Sequence, residues 1–399
     1  HLIMIGDHKQ LPPKVEQYRL TAVSESGYRL DRSLFERLIE AGRSSATLNV
    51  QHRMRPSISE LVRLQTYPSL LDHNAVREYP NVSGLIENLV FVDHNRPEDG
   101  AGSDESRTKS NSFEAELAVE VVRYLLLQGY GTKQIVVLTP YLGQLQRLIS
   151  LIRTNLDEVT AIVSERDQNE LEDLDDSGNL GSDPLNSNER GSATVRCSSV
   201  DNFQGEEADI IVVSLVRSNR RGNIGFLKER QRVNVLLSRA RYGMVLLGST
   251  RTLLMTEKGR LTWKPITDAL SAKGRIKDGL PVVCQLHPDD AVSLHNPSDF
   301  RQFRPNGGCH RPCSFRLACG HACPLKCHPA DASHIKSQKL CSEPCMRFPP
   351  DCEMNHSCPK LCREECGLCR APVGPKRLEI CGHDLQDVQC FELTDSEAV

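Results

Sequence analysis

The chain has 399 residues, 39% hydrophobic and 25% charged, with a net charge of −3. That length accommodates about two to three domains with a sizeable core, while the near-neutral balance gives no overall nucleic-acid signal, so any basic track is local. No basic leader with a cleavage site stands at the start and no apolar run reaches the ~18 residues of a membrane span, which leaves secretion and membrane insertion unsupported and a cytoplasmic or nuclear location as the expectation.

In chain order, residues 1–45 read as the end of one α/β domain. A strand at residues 2–5 leads into the loop Gly6-Asp7-His8-Lys9-Gln10-Leu11-Pro12-Pro13, and an amphipathic helix follows at 33–41, capped by Asp31. Residues 46–262 read as a second α/β domain. Ser57-x-x-Glu60 reads as a capping box opening a helix, and residues 114–128 place Leu117, Val121, Tyr124 and Leu125 on one helical face. A buried strand at 135–138, a helix at 143–153, strands at 194–197 and 210–216, a helix at 230–240 and a strand at 244–247 complete the rhythm. This alternation predicts a parallel sheet with helices on both faces. Residues 155–193 interrupt it with eleven acidic and two basic residues, and predict a disordered insertion. It reads as a solvated loop, or as an interaction tail or a phosphate mimic competing for an RNA track. Residues 263–308, with prolines at 281, 288, 297 and 305, read as a linker.

Five elements resemble superfamily-one helicases of the up-frameshift type. They are the Gly6 to Pro13 loop, Gln51-His52-Arg53-Met54-Arg55-Pro56, Leu138-Thr139-Pro140-Tyr141, Val200-Asp201-Asn202-Phe203-Gln204-Gly205-Glu206-Glu207, and Arg232-Val233-Asn234-Val235-Leu236-Leu237-Ser238-Arg239-Ala240-Arg241. The resemblance implies a RecA-like P-loop NTPase fold using ATP and Mg2+. It implies that Arg53 and Arg239 contact phosphate, that Gln10 links the γ-phosphate to domain closure, and that Glu207 contacts the ribose, with Glu206 as the adjacent rival. His52 stands where the family has a base-stacking tyrosine. Thr139, Ser199 and Asn202 are implied contacts to the backbone of single-stranded RNA, a mode without sequence readout. No Gly-x-x-x-x-Gly-Lys-(Ser/Thr) loop occurs, and the chain opens at His1 directly on a strand. A truncation inside the first motor domain is therefore expected, with no ATPase from this piece alone; a degenerate motor is the alternative.

From residue 309 onward lie 14 of the 16 cysteines and six of the 13 histidines. Mixed Cys-Gly-His triplets favour zinc over disulfides. The pattern His321-x-Cys323-Pro recurs as His356-x-Cys358-Pro, and Cys319-Gly-His321 recurs as Cys381-Gly-His383. These repeats resemble NFX-type zinc fingers. Candidate Zn2+ ligands are Cys309, Cys313, Cys319, His321, Cys323, Cys327, His328, Cys341, Cys345, Cys352, His356, Cys358, Cys362, Cys366, Cys369, Cys381 and His383, for roughly three to four ions. Their grouping stays open, and His310 and His334 read as ordinary polar residues. Motor and fingers together resemble the NFX-type zinc-finger-containing helicase family, which implies RNA surveillance or silencing with protein partners at the fingers. A non-catalytic zinc-binding scaffold and a ubiquitin ligase are the competing readings.

Overall fold

The computed structural model describes residues 3–15, 17–24, 27–100, 108–156, 159–174, 193–349, 352, 354–377 and 382–394. The chain divides into two compact units, His1–Arg304 and Pro305–Val399.

The first unit opens with α1 (Leu34–Glu40), β1 (Val50–Gln51), α2 (Pro56–Gln65) and β2 (Leu71–Asp72), β1 and β2 pairing in parallel. Then come β3 (Leu89–Asp93), α3 (Ser112–Leu127), β4 (Ile135–Thr139), α4 (Leu142–Asn155), β5 (Val159–Ile162), α5 (Glu165–Leu174), β6 (Ala193–Ser199) and β7 (Ala208–Ser214). After them follow α6 (Arg230–Leu237), β8 (Ala240–Gly248), α7 (Thr250–Met255), α8 (Glu257–Ala272), β9 (Ile276–Lys277), β10 (Leu280–Val283), β11 (Ala291–Leu294) and α9 (Pro297–Phe303).

Seven strands form one parallel sheet in the order β5-β6-β4-β7-β8-β3-β9. Alternate residues of each strand enter opposite cores, as a period of two requires. Val90, Val92, Val137, Ile210, Val212 and Val245 join the apolar faces of α3 and α4. Phe91, Val136, Leu138, Ile211, Val213 and Met244 join those of α2, α6 and α8. Both faces are thus covered, which is why the central strands read as unbroken apolar runs.

Several local expectations are corrected. The N-cap of α1 is Ser33, whose hydroxyl accepts from the Glu36 amide at 3.1 Å, while Asp31 accepts from the Ala22 amide. Ser57 does not cap α2, because Pro56, with its preset φ, occupies the first turn. Residues 3–5 form no strand, and Ile3 and Ile5 are exposed. Part of the acidic stretch expected to be disordered builds β5, which pairs with β6, and α5, which seats Leu171 in the core; residues 175–192 lie outside the described residues.

The stretch expected to be a linker from residue 263 is folded as far as Arg304. Trp263 is fully buried with its indole N–H on the Leu227 carbonyl at 2.9 Å, and β10 and β11 form an antiparallel hairpin whose Leu280, Val282 and Leu294 enter the core. Pro297 opens α9, a position that tolerates proline. Phe300 on α9 is fully buried, its ring 6.1 Å from that of Tyr124 on α3. Phe300→Ala is therefore expected to destabilise this unit by about 3–5 kcal/mol. Denaturant melts followed by Trp263, the only tryptophan, measure it, and a change below 1 kcal/mol would return this segment to linker status.

The second unit contains α10 (Ile335–Gln338), β12 (Pro372–Arg377), β13 (Asp384–Gln389) and α11 (Phe391–Thr394), with β12 and β13 antiparallel. Its buried clusters are made largely of cysteines, with Leu317 among them.

Candidate nucleotide site and zinc centres

The turn from β1 into α2 divides the polar residues of Gln51 to Arg55 between scaffolding and display. The Gln51 side-chain oxygen accepts from the Arg53 and Met54 amides at 2.9 and 2.7 Å, and its NH2 donates to the Met54 carbonyl and to Asp72. Arg55 is buried and donates to the carbonyls of Tyr242, Tyr79 and Pro80; burial holds its pKa below the ordinary value. Arg53 is displayed. Its Nε donates to Glu207 at 2.5 Å and another guanidinium nitrogen to the Ser238 carbonyl at 3.1 Å.

Glu207 stands immediately before β7, at the end of a turn in which Gly205 has φ +89°, a conformation that a side chain would strain. That turn separates the two acidic rivals. Glu206 pairs through both oxygens with Arg196 on β6, whereas Glu207 meets Arg53 and lies 3.8 Å from Arg241. Arg239, just past α6, is 2% exposed. Its three nitrogens donate to the Val235 carbonyl, the Ser238 hydroxyl and the Glu206 carbonyl at 2.9, 2.8 and 3.2 Å. Burial, and then the charge of Arg53, bring its pKa down to about 10, so it remains charged at neutral pH.

The Gly6 to Pro13 loop docks on the same helix. Asn234 of α6 donates to the Lys9 carbonyl at 3.0 Å and to the Tyr67 hydroxyl at 2.8 Å, and Gln231 donates to the His8 carbonyl. The Asp7 carboxylate accepts from the Gln10 side-chain NH2 at 3.1 Å and from the Tyr67 hydroxyl. Burial, followed by this carboxylate, pushes the Tyr67 phenol up. The structure therefore gathers Arg53, Glu207 and Arg239 around the N-terminal end of β7 and the C-terminal end of α6, while the loop that carries Gln10 docks on Gln231 and Asn234 of α6. The exposed His52 ring stacks on His73, centroids 4.1 Å apart, so one of its faces is already covered.

The three residues expected at a nucleic-acid backbone lie at or just past the C-terminal ends of β4 and β6. Thr139 is fully buried, its hydroxyl accepting from the Tyr141 amide; it closes β4 and presents no side chain to a ligand. Ser199 and Asn202 face α5. The fully buried Asp167 accepts from the Ser198 hydroxyl at 2.7 Å, the Ser199 amide at 3.2 Å and the Asn202 side-chain NH2 at 2.8 Å.

Two features here carried no sequence signal. One is Asp167. The other is Val216, a β-branched residue at φ +71° in a turn closed by the Arg217 amide on the Leu215 carbonyl at 2.8 Å. The fully buried Glu114 accepts from the Val216 amide and the Ser214 hydroxyl, and the Asn111 side chain donates to the Val216 carbonyl. These contacts hold a backbone conformation that costs on the order of 1–3 kcal/mol.

In the second unit, cysteines and histidines assemble in groups. Cys313, Cys323, His328 and His334 form one; Cys319, His321, Cys341 and Cys362 a second; Cys352, His356, Cys369 and Cys390 a third; Cys345, Cys358 and Cys366 a fourth, with ligand atoms within 4.8 Å in each. Tetrahedral zinc with arms near 2.0–2.3 Å places neighbouring ligand atoms about 3.3–3.8 Å apart. The sulfur pairs Cys319–Cys341, Cys345–Cys366 and Cys352–Cys390 are 3.8, 3.7 and 3.6 Å apart, and the sulfur–nitrogen pair Cys362–His321 is 3.3 Å apart. Disulfides need about 2.05 Å, and no disulfide joins the described cysteines. The spacing fits zinc.

His334 and Cys390 join these groups although neither was expected to be a ligand, His334 lying 3.1 Å from the Cys313 sulfur. His383 is exposed and outside every group among the described residues, and Cys381 lies outside the described residues. Cys309 and Cys327 come within 4.8 Å of each other. Cys197, in contrast, is an isolated sheet residue whose thiol burial pushes up to about 12.

A family profile described as an AAA domain matches residues 30–251. The mouse NFX1-type zinc finger-containing protein 1 is 38% identical over 397 residues, covering 100% of this chain and 18% of that protein. The helicase required for RNAi-mediated heterochromatin assembly 1 of Schizosaccharomyces pombe is 32% identical over 299 residues, covering 74% of this chain and 26% of its own length. The ATP-dependent helicase NAM7 of Saccharomyces cerevisiae is 32% identical over 312 residues, covering 76% and 28%. Among the described residues no helix is long and apolar enough to cross a membrane. With residues 30–251 matching this profile and a cysteine-histidine segment suited to zinc, the chain belongs to the AAA-domain family and, within it, to the NFX-type zinc-finger-containing helicase family, whose mouse and human members it spans over 18% of their length.

Proposed function

We propose that this chain supplies the second motor half of an ATP-dependent RNA helicase, followed by zinc modules that bind protein or RNA partners. The observation that carries this reading is the convergence of Arg53, Glu207 and Arg239 at the β7 end, against the Asp7 to Gln10 loop. In this reading Arg53 and Arg239 stabilise phosphate charge, Gln10 responds to the γ-phosphate, Glu207 holds the ribose and His52 stacks on the base. Mg2+ would accompany the nucleotide and neutralise charge on its phosphates. Arrangement in two motor halves, with a boundary near residue 45, belongs to the same proposal. The names of the fission-yeast and budding-yeast relatives support helicase action and, in the first case, an RNA-silencing setting.

A longer protein that joins this chain to the other motor half is expected to hydrolyse ATP faster when single-stranded RNA is added, and the 399-residue chain alone is expected not to. Glu207→Ala in the longer protein should weaken nucleotide binding roughly tenfold or more, through the lost charge-assisted bond. Titration with a fluorescent ATP analogue measures this. Unchanged affinity would transfer the role to Glu206, and absence of RNA-stimulated hydrolysis would favour the zinc-binding scaffold.

A further inference from the structure

The second unit contains two copies of one backbone motif. In the first, the amides of Cys313, Cys323 and Cys327 donate to the carbonyls of Leu325, Phe315 and Arg311 at 3.1, 2.9 and 2.9 Å. In the second, the amides of Cys345, Cys358 and Cys362 donate to those of Lys360, Arg347 and Glu343 at 2.9, 3.2 and 2.9 Å. Equivalent bridges join Pro312 to Lys326 and Pro344 to Leu361. Cys313, Cys323 and Cys327 thus correspond to Cys345, Cys358 and Cys362.

This correspondence decides what the next residue does. His328, directly after Cys327, is buried with its Nε2 3.4 Å from the Cys323 sulfur, inside the four-ligand group of the first copy. Its counterpart directly after Cys362 is Arg363, which is exposed. A guanidinium has donors only and stays charged, so it cannot ligate a cation. The second copy accordingly gathers three ligands among the described residues, Cys345, Cys358 and Cys366. Beside them, Arg347 donates through Nε to the Cys345 sulfur at 3.2 Å and is tied to the Cys362 and Glu364 carbonyls at 3.0 and 3.1 Å.

We propose that Cys345, Cys358 and Cys366 form an open zinc site whose fourth position takes an exchangeable exogenous ligand, water at rest and a small thiolate when one is supplied. Structural zinc sites close with four protein ligands, whereas an open position is where other ligands enter. Three thiolates and Zn2+ carry one net negative charge, which the nearby Arg347 offsets, so a further thiolate is tolerated. An entering thiol gives its proton to solvent, its sulfur bonds the zinc and the water leaves; no electron is transferred. This rests on the unit binding zinc at all, which elemental analysis tests separately.

The experiment follows zinc released from the whole 399-residue chain to excess 4-(2-pyridylazo)resorcinol. One zinc is expected to leave on the order of tenfold faster than the others, and 2-mercaptoethanol should perturb the same ion first. Arg363→His should move that zinc into the slow class, and His328→Arg should create a second fast one. With cobalt in place of zinc, Arg363→His should shift the visible d–d bands, a readout independent of release rates. Release in a single class, or a fast class and cobalt spectrum both unchanged by Arg363→His, would overturn the open site even with zinc content intact.

Discussion

Arg239→Ala in the longer protein is expected to lower ATP turnover by on the order of 10³-fold, the effect of removing an arginine that stabilises charge developing on a transferring phosphoryl group. The side chain also ties the last turn of α6 to the start of β7 through the Val235 and Glu206 carbonyls. Its loss should therefore cost about 1–3 kcal/mol of stability as well. A thermal melt beside the rate separates the two effects, because a folded variant with collapsed turnover identifies chemistry. Arg239→Lys keeps the charge but loses the planar fork, so it should recover the melt better than the rate. Turnover within a few fold of wild type for the alanine variant would remove Arg239 from the phosphate site.

Stripping zinc should unfold the second unit and spare the first. That unit exposes Phe315, Met346, Phe348 and Met354, and Leu317 is among its few buried aliphatic side chains. It lacks an apolar core able to hold it folded. Structural zinc binding is worth about 10–16 kcal/mol per ion near neutral pH, far more than the residual apolar contacts supply. Addition of a strong chelator should erase the dispersed amide resonances of residues 309–390 while Trp263, buried in the first unit, keeps its emission. Retention of those resonances without zinc, or thiols found paired as disulfides, would refute metal as the source of order.

The α/β fold of the first unit was legible because its signals are local. Apolar runs became β4, β7 and β8, and the helical stripe of Leu117, Val121, Tyr124 and Leu125 became the buried face of α3. What sequence reasoning missed depends on contacts between distant segments. Nothing in the sequence singled out Glu114 beyond its place at the start of a predicted helix, yet it is a fully buried anchor for Ser214, Val216 and His94. Asp167 lay in a stretch whose acidity predicted disorder, and only its partners Ser198, Ser199 and Asn202 show why it is buried. Pro281 and Pro297 suggested a linker because proline marks turns and helix starts equally well. Zinc ligands were legible as residue types, but the partner of Cys319 and His321 is Cys362, from the next repeat, which spacing alone does not reveal.

That interleaving has a consequence for where the chain can be divided. The ligand loops run over residues 313–334, 319–362, 345–366 and 352–390, each overlapping the next. A break anywhere between 313 and 390 separates two ligands of one ion. The ends of shortened versions consequently have no neutral position in this stretch, which is kept or discarded as a single piece.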